Sequence, residues 1–234
     1  MFRSTIAGLA LLAAARLASA QATILDEGTF SHLVGGTRVG REDFSVRATR
    51  VSASGNTYVA QANVLEGENR RTIVLTADSA GMPLRFQLEA REATTIVRSV
   101  VGERDRNTWL GRIIAGPRES GREFRLAEGT LVAEPGVVHE LWFVLRFGQG
   151  RPVVLFTPSR STQDTVVVRA AGADSVQLAA QTLPAQRWEI RGAADGNLRW
   201  EVWADAAGRI LRAKHPASDL EALRDDPPDE TPGR

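Results

Sequence analysis

Apolar and polar residues alternate along most of the chain from Glu27 onward. The clearest stretch is 84–91, where Leu84, Phe86 and Leu88 share one face and charged or amide side chains occupy the other. A period of two predicts a β-strand with one buried and one solvent-exposed face. Turn-forming residues separate such stretches at intervals of about 8–12 residues, and strands joined by short turns pair antiparallel. Further strands of this type are predicted at 44–48, 124–126, 188–190 and 198–202.

One segment follows a helical spacing instead. Between Pro135 and Gly148, apolar residues recur three and four positions apart, which predicts a helix at 136–147 with Gly148 near its C-terminal cap. Apolar residues cover much of its circumference, so we expect it to be buried against the sheet. Because Phe143 and Phe147 fill gaps between the helical positions, a buried strand is the alternative. The fold class that follows is mainly β: an antiparallel open or half-closed barrel with one buried apolar helix.

Two short segments on either side of this helix resemble each other. Residues 77–85 and 204–212 both have the pattern Ala-Asp-x-Ala-Gly-x-x-Leu-Arg. This pattern predicts a hairpin in which the Asp caps the turn and the Gly, Gly81 or Gly208, takes a positive φ. One interpretation is a duplicated β-unit, with related units at about 27–134 and 150–224. The other is that two unrelated hairpins use the same turn chemistry.

The first 20 residues predict a secretory signal peptide. Arg3 supplies a positive charge, an uncharged run covers 6–15, and Ala18-Ser19-Ala20 forms a small-x-small cleavage site before Gln21. The apolar run is shorter than the roughly 20 residues that a spanning helix needs. We therefore expect a periplasmic or secreted protein with no transmembrane segment in the mature chain; a buried N-terminal helix is the alternative.

The amino-acid composition excludes several classes of protein. The chain has no cysteine, which excludes disulfides, thiolate metal sites and a lipid anchor on cysteine. Its formal net charge of +1 lacks the basic excess of a nucleic-acid-binding protein, so we expect no nucleic-acid partner. Residues 21–224 have the length of one β-rich domain that can bury its own core. Residues 225–234 are acidic and proline-rich, and we predict that they are disordered.

The sequence contains no recognisable catalytic or metal motif. The three histidines, His32, His139 and His215, are not spaced as metal ligands, and neither a Gly-x-Ser-x-Gly elbow nor a glycine-rich phosphate loop is present. His139 and Glu140 lack the second histidine of a zinc helix, so we interpret His139 as a polar residue near a helix start. We predict no catalytic residue, no metal and no cofactor, and therefore a protein that is not an enzyme.

Several segments resemble a group of exported bacterial proteins of unknown function. The segments are 28–30, 40–44, 139–143, 183–187 and 201–211. The fold of that group is similar to the open β-barrel of the outer-membrane lipoprotein carrier. The resemblance implies a curved antiparallel sheet wrapped round one or two helices. It rests on turn and core residues, so it implies a fold and not a site.

Aromatic residues are the candidate ligand-binding positions. Trp203 would lie on the opposite face of its strand from Trp200, where another segment or a partner must cover it. The main hypothesis is a non-catalytic binding module for a hydrophobic ligand or a lipid-bearing envelope protein, bound between helix and sheet. One alternative is an interaction domain with a filled core that acts through a surface such as the Trp203 face, and another is a hydrolase with an unrecognised site. The five candidate residues are Trp142, Phe143, Phe147, Trp188 and Trp200.

Overall fold

The computed structural model describes residues 22–50 and 55–229. The predicted signal peptide lies outside these residues, as does the end of the predicted tail from residue 230 onward. Strands form most of the described chain, and they belong to one large open sheet that accompanies one α-helix. The predicted fold class is confirmed. Within the same ranges, no helix has the length and apolar character needed to cross a membrane.

The sheet contains fifteen strands, numbered here in chain order. They are β1 (Ala22–Val34), β2 (Thr37–Arg50), β3 (Asn56–Glu66), β4 (Asn69–Ala77), β5 (Pro83–Glu92), β6 (Thr95–Asp105), β7 (Thr108–Ala115), β8 (Arg118–Arg125), β9 (Leu131–Val132), β10 (Pro152–Thr157), β11 (Thr162–Leu178), β12 (Gln181–Gly192), β13 (Leu198–Ala204), β14 (Ile210–His215) and β15 (Leu220–Arg224). Their order in the sheet is β8-β7-β6-β5-β4-β3-β2-β1-β15-β14-β13-β12-β11-β10-β9.

This order describes two meanders that meet at the middle of the sheet. The described chain enters the sheet at β1, runs strand by strand to the β8 edge, and reaches the other edge, at β9, through residues 126–130. From β10 it returns to β15, which pairs antiparallel with β1 from Phe30–Arg224 to Val34–Leu220. The parallel pair β9–β10 is joined through α1 (Leu141–Phe147), as a parallel connection requires a crossover.

The two edges of the sheet approach each other through aromatic side chains. Trp109 of β7 lies edge-on to Phe156 of β10, with ring centroids 5.5 Å apart, and Phe124 of β8 lies 5.7 Å from the same ring. A Cβ on Gly102 would lie 2.3 Å from the Trp109 indole, so glycine at this position makes room for the ring. No strand pair joins β8 to β10 in the described residues. The barrel is therefore half-closed, and side-chain packing alone joins its two edges.

The α-helix is shorter than the sequence predicts. It begins at Leu141 and not at 136, and it ends at Phe147 with Gly148 as its C-cap. Gly136 has φ +67°, a left-handed conformation that interrupts a helix. The backbone N–H groups of Val138 and His139 donate to a carboxylate from β2, described below, and not to the carbonyls of a preceding helical turn. Five of the seven helical residues are buried, which agrees with a helix packed inside the sheet and excludes the strand alternative there.

The two similar segments form the same turn. In each one the backbone N–H of the Asp donates to the carbonyl four residues on, at 2.9 Å for Asp78 and 3.0 Å for Asp205. Each Asp carboxylate also accepts two backbone N–H groups of its turn. Gly81 has φ +80° and Gly208 has φ +79°. The predicted turn chemistry is confirmed, whereas the duplication stays a prediction because shared turn geometry also fits convergence.

Candidate functional site

Three of the five predicted aromatic residues pack together beneath α1. Trp142, Phe143 and Phe147 surround Tyr58 of β3, with ring centroids 5.7, 6.1 and 5.5 Å from the Tyr58 ring. Trp142 is 4% exposed and Phe143 is fully buried. The rings contact one another closely, and Tyr58, which the sequence analysis does not single out, is the sheet residue that they share. These side chains fill the space between the helix and β3.

The remaining two predicted residues, Trp188 and Trp200, line separate pockets at opposite ends of β13. The larger pocket, about 630 Å³, opens between the ends of β1, β3, β10, β13 and β15, and we call it the mouth pocket. Trp200 forms one wall, and its ring lies 4.8 Å from the His215 ring. The other buried apolar lining comes from Leu155 and Leu220, and the more exposed Val34 stands at the edge.

Three arginines and three acidic side chains line the mouth pocket, and two of the arginines form ion pairs there. Arg71 lies 3.3 Å from Glu66 and donates to the Pro135 carbonyl at 2.7 Å. Arg199 bonds Asp164 at 2.9 Å. Because these guanidinium groups are already paired, the pocket has no strong excess of either charge. A ligand that fits it is mainly apolar, with room for polar groups at the rim.

The second pocket, about 380 Å³, lies between the C-terminal turn of α1, β12 and the Asp205–Gly208 turn, and we call it the helix pocket. Trp142 and Trp188 are the two predicted residues that line it. The Arg146 guanidinium covers the Trp142 ring at 5.0 Å from its centroid. This pocket is more polar than the mouth pocket, because glutamine and arginine side chains form much of its lining.

A buried group of ionisable side chains holds the segment that leads into α1. The Glu42 carboxylate, on β2, accepts the backbone N–H groups of Val138 and His139, both at 2.8 Å, and lies 2.7 Å from Nδ1 of His139. Nε2 of His32, on β1, lies 3.4 Å from the same carboxylate. All three side chains are fully buried. We call Glu42, His32 and His139 the Glu42 cluster.

The charges of the Glu42 cluster are complementary. Burial alone acts to raise the pKa of Glu42, but the hydrogen bond from His139 and the nearby His32 ring outweigh it and hold that pKa well below its usual range. Burial acts to lower the pKa of His32, but its contacts with Glu42 and Glu66 outweigh burial and raise this pKa to about 9. At neutral pH, Glu42 is therefore ionised, His32 is protonated, and Nδ1 of His139 is the hydrogen-bond donor.

Two further buried acids hold the same segment, one by bonds to the turn after β10 and the other by a bond within the segment. The Glu134 carboxylate accepts the backbone N–H of Ser159 at 2.7 Å and its hydroxyl at 2.5 Å. The Glu140 carboxyl accepts the Glu134 backbone N–H at 2.5 Å. Burial, followed by the charge of Glu134, raises the pKa of Glu140 well above its ordinary value.

The Glu42 cluster resembles an acid–base pair in chemistry but not in accessibility. Its side chains have no exposed surface, so a substrate cannot reach His139. Ser45 is buried on β2, but alternation along the strand places it on the opposite face from Glu42. Among residues 22–50 and 55–229, no group of histidine, aspartate and glutamate side chains is arranged to hold a metal ion.

Sequence reasoning overlooked the Glu42 cluster. His139 and Glu140 interrupt a run that is otherwise apolar, and a buried charge needs a partner, which is the signal that points to a polar core. The partner itself was not identifiable, because Glu42 lies 97 residues before His139 in the chain. His215, by contrast, lies at the mouth pocket, where burial and the nearby Arg199 lower its pKa.

Trp203 lies on the outer face of the sheet and is covered by the protein itself. It is 6% exposed, its indole N–H donates to Asp174 at 2.8 Å, and Arg212 stacks over the ring at 4.9 Å from the centroid. A bulge between Ala170 and Gly172 turns the far part of β11 so that its apolar residues join Trp203 in a second, smaller core. The ring therefore offers little surface to a partner.

Comparison with known proteins identifies the fold. No family model matches the sequence, and no curated protein is significantly similar to it. A solved structure similar to this chain is the beta-barrel-like protein of the domain of unknown function DUF1849 from Brucella abortus. The match has a TM-score of 0.51 and 12% sequence identity, and it covers 86% of this chain and 94% of the other. At this identity the likeness shows the fold alone: the chain has a beta-barrel-like fold.

Proposed function

We propose that this protein is an exported, non-catalytic binding module whose mouth pocket holds a hydrophobic ligand or the acyl chain of a lipid-bearing partner. The observation that carries the proposal is the pocket of about 630 Å³, walled by Leu155, Trp200 and Leu220. Its volume lies within the range of about 300–1,000 Å³ that small-molecule sites occupy. The paired charges at the rim favour a ligand whose buried part is uncharged.

The packing beneath α1 leads us to propose the mouth pocket, and not the space between helix and sheet, as the binding site. The main hypothesis put the ligand between helix and sheet, but the Trp142, Phe143 and Tyr58 rings occupy that space. Trp200 is the predicted residue that remains at an apolar pocket. The proposal therefore keeps the predicted ligand class and assigns it to the open end of the barrel. The complete burial of the Glu42 cluster supports a non-catalytic role.

The test places a large side chain at the pocket edge. Val34 and Val39 are both 41% exposed, but only Val34 lines the mouth pocket among its described residues. Val34→Trp is expected to weaken the binding of N-phenyl-1-naphthylamine and of palmitate at least about tenfold, because the indole occupies ligand volume. Val39→Trp adds the same side chain elsewhere and is expected to leave both affinities unchanged. Fluorescence titration and native mass spectrometry measure the two ligands.

The proposal fails if the wild-type protein binds neither probe, or if both variants bind as the wild type does. An interaction domain with a filled core is then the better function, and the interlocked rings beneath α1 favour it. In a filled core, Trp142→Ala leaves a cavity that costs about 3–5 kcal/mol of unfolding free energy. Urea unfolding of this variant measures that cost, and a much smaller value would mean that the space beneath the helix is loosely packed.

A further inference from the structure

The helix pocket has a set of polar groups that the mouth pocket lacks. Gln186, on β12, donates from its amide nitrogen to the Gly172 carbonyl at 2.7 Å and to the Arg187 carbonyl at 2.9 Å. Two carbonyl acceptors fix which end of this amide is nitrogen, so the amide oxygen is the atom left for a ligand. Gln149 likewise donates from its amide nitrogen to the Leu145 carbonyl at 2.6 Å.

Arg146 supplies donors to the same pocket. Its side chain is exposed, and within the described residues its guanidinium makes no ion pair, because it stacks on Trp142 and Phe147 instead. The nearby Asp205 carboxylate is already occupied by two backbone N–H groups of its own turn and by Arg209. Among the side chains of the helix pocket, the hydrogen-bonding groups left for a ligand are two amide oxygens, the second N–H of the Gln149 amide and one guanidinium.

Trp188 completes the lining with an aromatic surface. It lies on the same face of β12 as Gln186, and it is half-buried, whereas the Trp142 ring is covered by Arg146. A ligand that satisfies both amide oxygens must donate hydrogen bonds, and one that satisfies Arg146 must accept them. Hydroxyl groups do both. A compact ring that also has an apolar face can lie against the indole of Trp188.

We propose that the helix pocket is a second binding site, which takes a sugar ring. Gln186 and Gln149 accept hydrogen bonds from hydroxyls, Arg146 donates to a hydroxyl or a carboxylate, and Trp188 packs against the ring face. The volume of about 380 Å³ lies at the small end of the range for ligand sites, which fits one or two sugar rings better than a long chain. This proposal rests on a different pocket from the proposed function and does not depend on it.

The experiment uses three trisaccharides as probes: neutral maltotriose, tri-N-acetylchitotriose and trigalacturonate. Isothermal titration calorimetry and saturation-transfer NMR with the mature chain are expected to detect binding of at least one of them. Arg146→Ala and Gln186→Leu are each expected to weaken that binding about tenfold or more, because each removes a hydrogen-bonding group. Gln149→Leu, at an exposed position, repeats the test with little risk to folding.

Matched controls lie far from the pocket. Gln177→Leu removes another glutamine amide of the β11–β12 hairpin, and Arg122→Ala removes another exposed arginine, on β8; neither residue lines the helix pocket. Both controls are expected to bind as the wild type does. Preference for trigalacturonate that Arg146→Ala abolishes would identify a carboxylate on Arg146, and equal binding of a neutral probe would identify a hydroxyl.

The proposal is overturned if none of the three probes binds, or if the pocket variants bind as tightly as their controls. Binding to the two pockets can be distinguished with the same set of variants. Val34→Trp is expected to retain sugar binding, and Arg146→Ala is expected to retain binding of N-phenyl-1-naphthylamine, because the pockets lie at opposite ends of β13.

Discussion

The Glu42 carboxylate determines the path of the chain into α1, and Glu42→Gln tests this directly. One carboxylate oxygen accepts hydrogen bonds from both the backbone N–H and the ring Nδ1–H of His139. The other accepts a hydrogen bond from the Val138 N–H and faces His32. Glutamine has nearly the same shape but a single acceptor oxygen. Its NH₂ group must therefore face at least one buried N–H donor, and protonated His32 loses its main counterion.

The expected cost follows from these contacts. A hydrogen bond to a charged group contributes about 1.5–3 kcal/mol, and removing one partner of a buried ion pair costs about 3–5 kcal/mol. Since the bonds are not additive, we expect Glu42→Gln to lower the free energy of unfolding by about 3–5 kcal/mol. Urea unfolding followed by circular dichroism measures it. Glu119→Gln is the control, because Glu119 is exposed and pairs with Arg112 at the surface, and it is expected to show no measurable change.

The pH dependence gives a second readout of the same variant. A histidine whose pKa is raised by folding stabilises the protein below its unfolded pKa, near 6.5, and this stabilisation is lost as the pH rises through the folded value. With the pKa of His32 at about 9, wild-type stability should fall between about pH 6.5 and 9 by an amount that Glu42→Gln does not show. A cost below about 1 kcal/mol, together with identical pH profiles, would refute the role assigned to the carboxylate.

Two other predictions concern the turns at Gly81 and Gly208 and the predicted signal peptide. Gly208→Ala should cost about 1 kcal/mol because its φ is positive, and Gly81→Ala should cost roughly 1–3 kcal/mol more, because its new Cβ would lie 2.4 Å from the Phe147 ring. Equal losses in urea unfolding would contradict this, and Gly121→Ala, at an open position, is the control. The predicted signal peptide implies a mature N-terminus at Gln21 or Thr23, which mass spectrometry of the extracytoplasmic protein measures. Extracytoplasmic protein that begins at Met1 would contradict it.

The strands were predictable because their pattern is local. Phe86 and Leu88 are buried in β5 while Arg85 is exposed, as the alternation in that segment indicates. The turns at Asp78 and Asp205 were predictable for the same reason, since each one satisfies its hydrogen bonds within five residues. Where a feature depends on neighbours in sequence, residue type and spacing determine it almost completely.

The start of the helix was not predictable, because it depends on a distant residue. The apolar spacing continues back to Val137, but Gly136 takes a left-handed conformation and the N–H groups of residues 138 and 139 bind Glu42 on β2. Both pockets likewise depend on residues that are distant from one another in the sequence. The mouth pocket combines residues from Val34 to Leu220, so no segment of the sequence carries its signature. The sequence indicates Trp188 and Trp200 as candidates because they are aromatic, but only the fold shows that they line different pockets.

The same polar core explains why open volume occurs at the ends of the barrel. Glu42 and Glu134 tie the central segment to both meanders, with bonds to β2 and to the turn after β10, and Glu140 braces the segment internally. A segment fixed on both sides holds the α1 aromatic residues against Tyr58, and a ligand between helix and sheet would have to displace them. Ligands are therefore expected where the segment ends: Pro135 and Gly136 border the mouth pocket, and the last turn of α1 borders the helix pocket. Loosening the Glu42 cluster should consequently alter both pockets together, whereas a change within one pocket should leave the other intact.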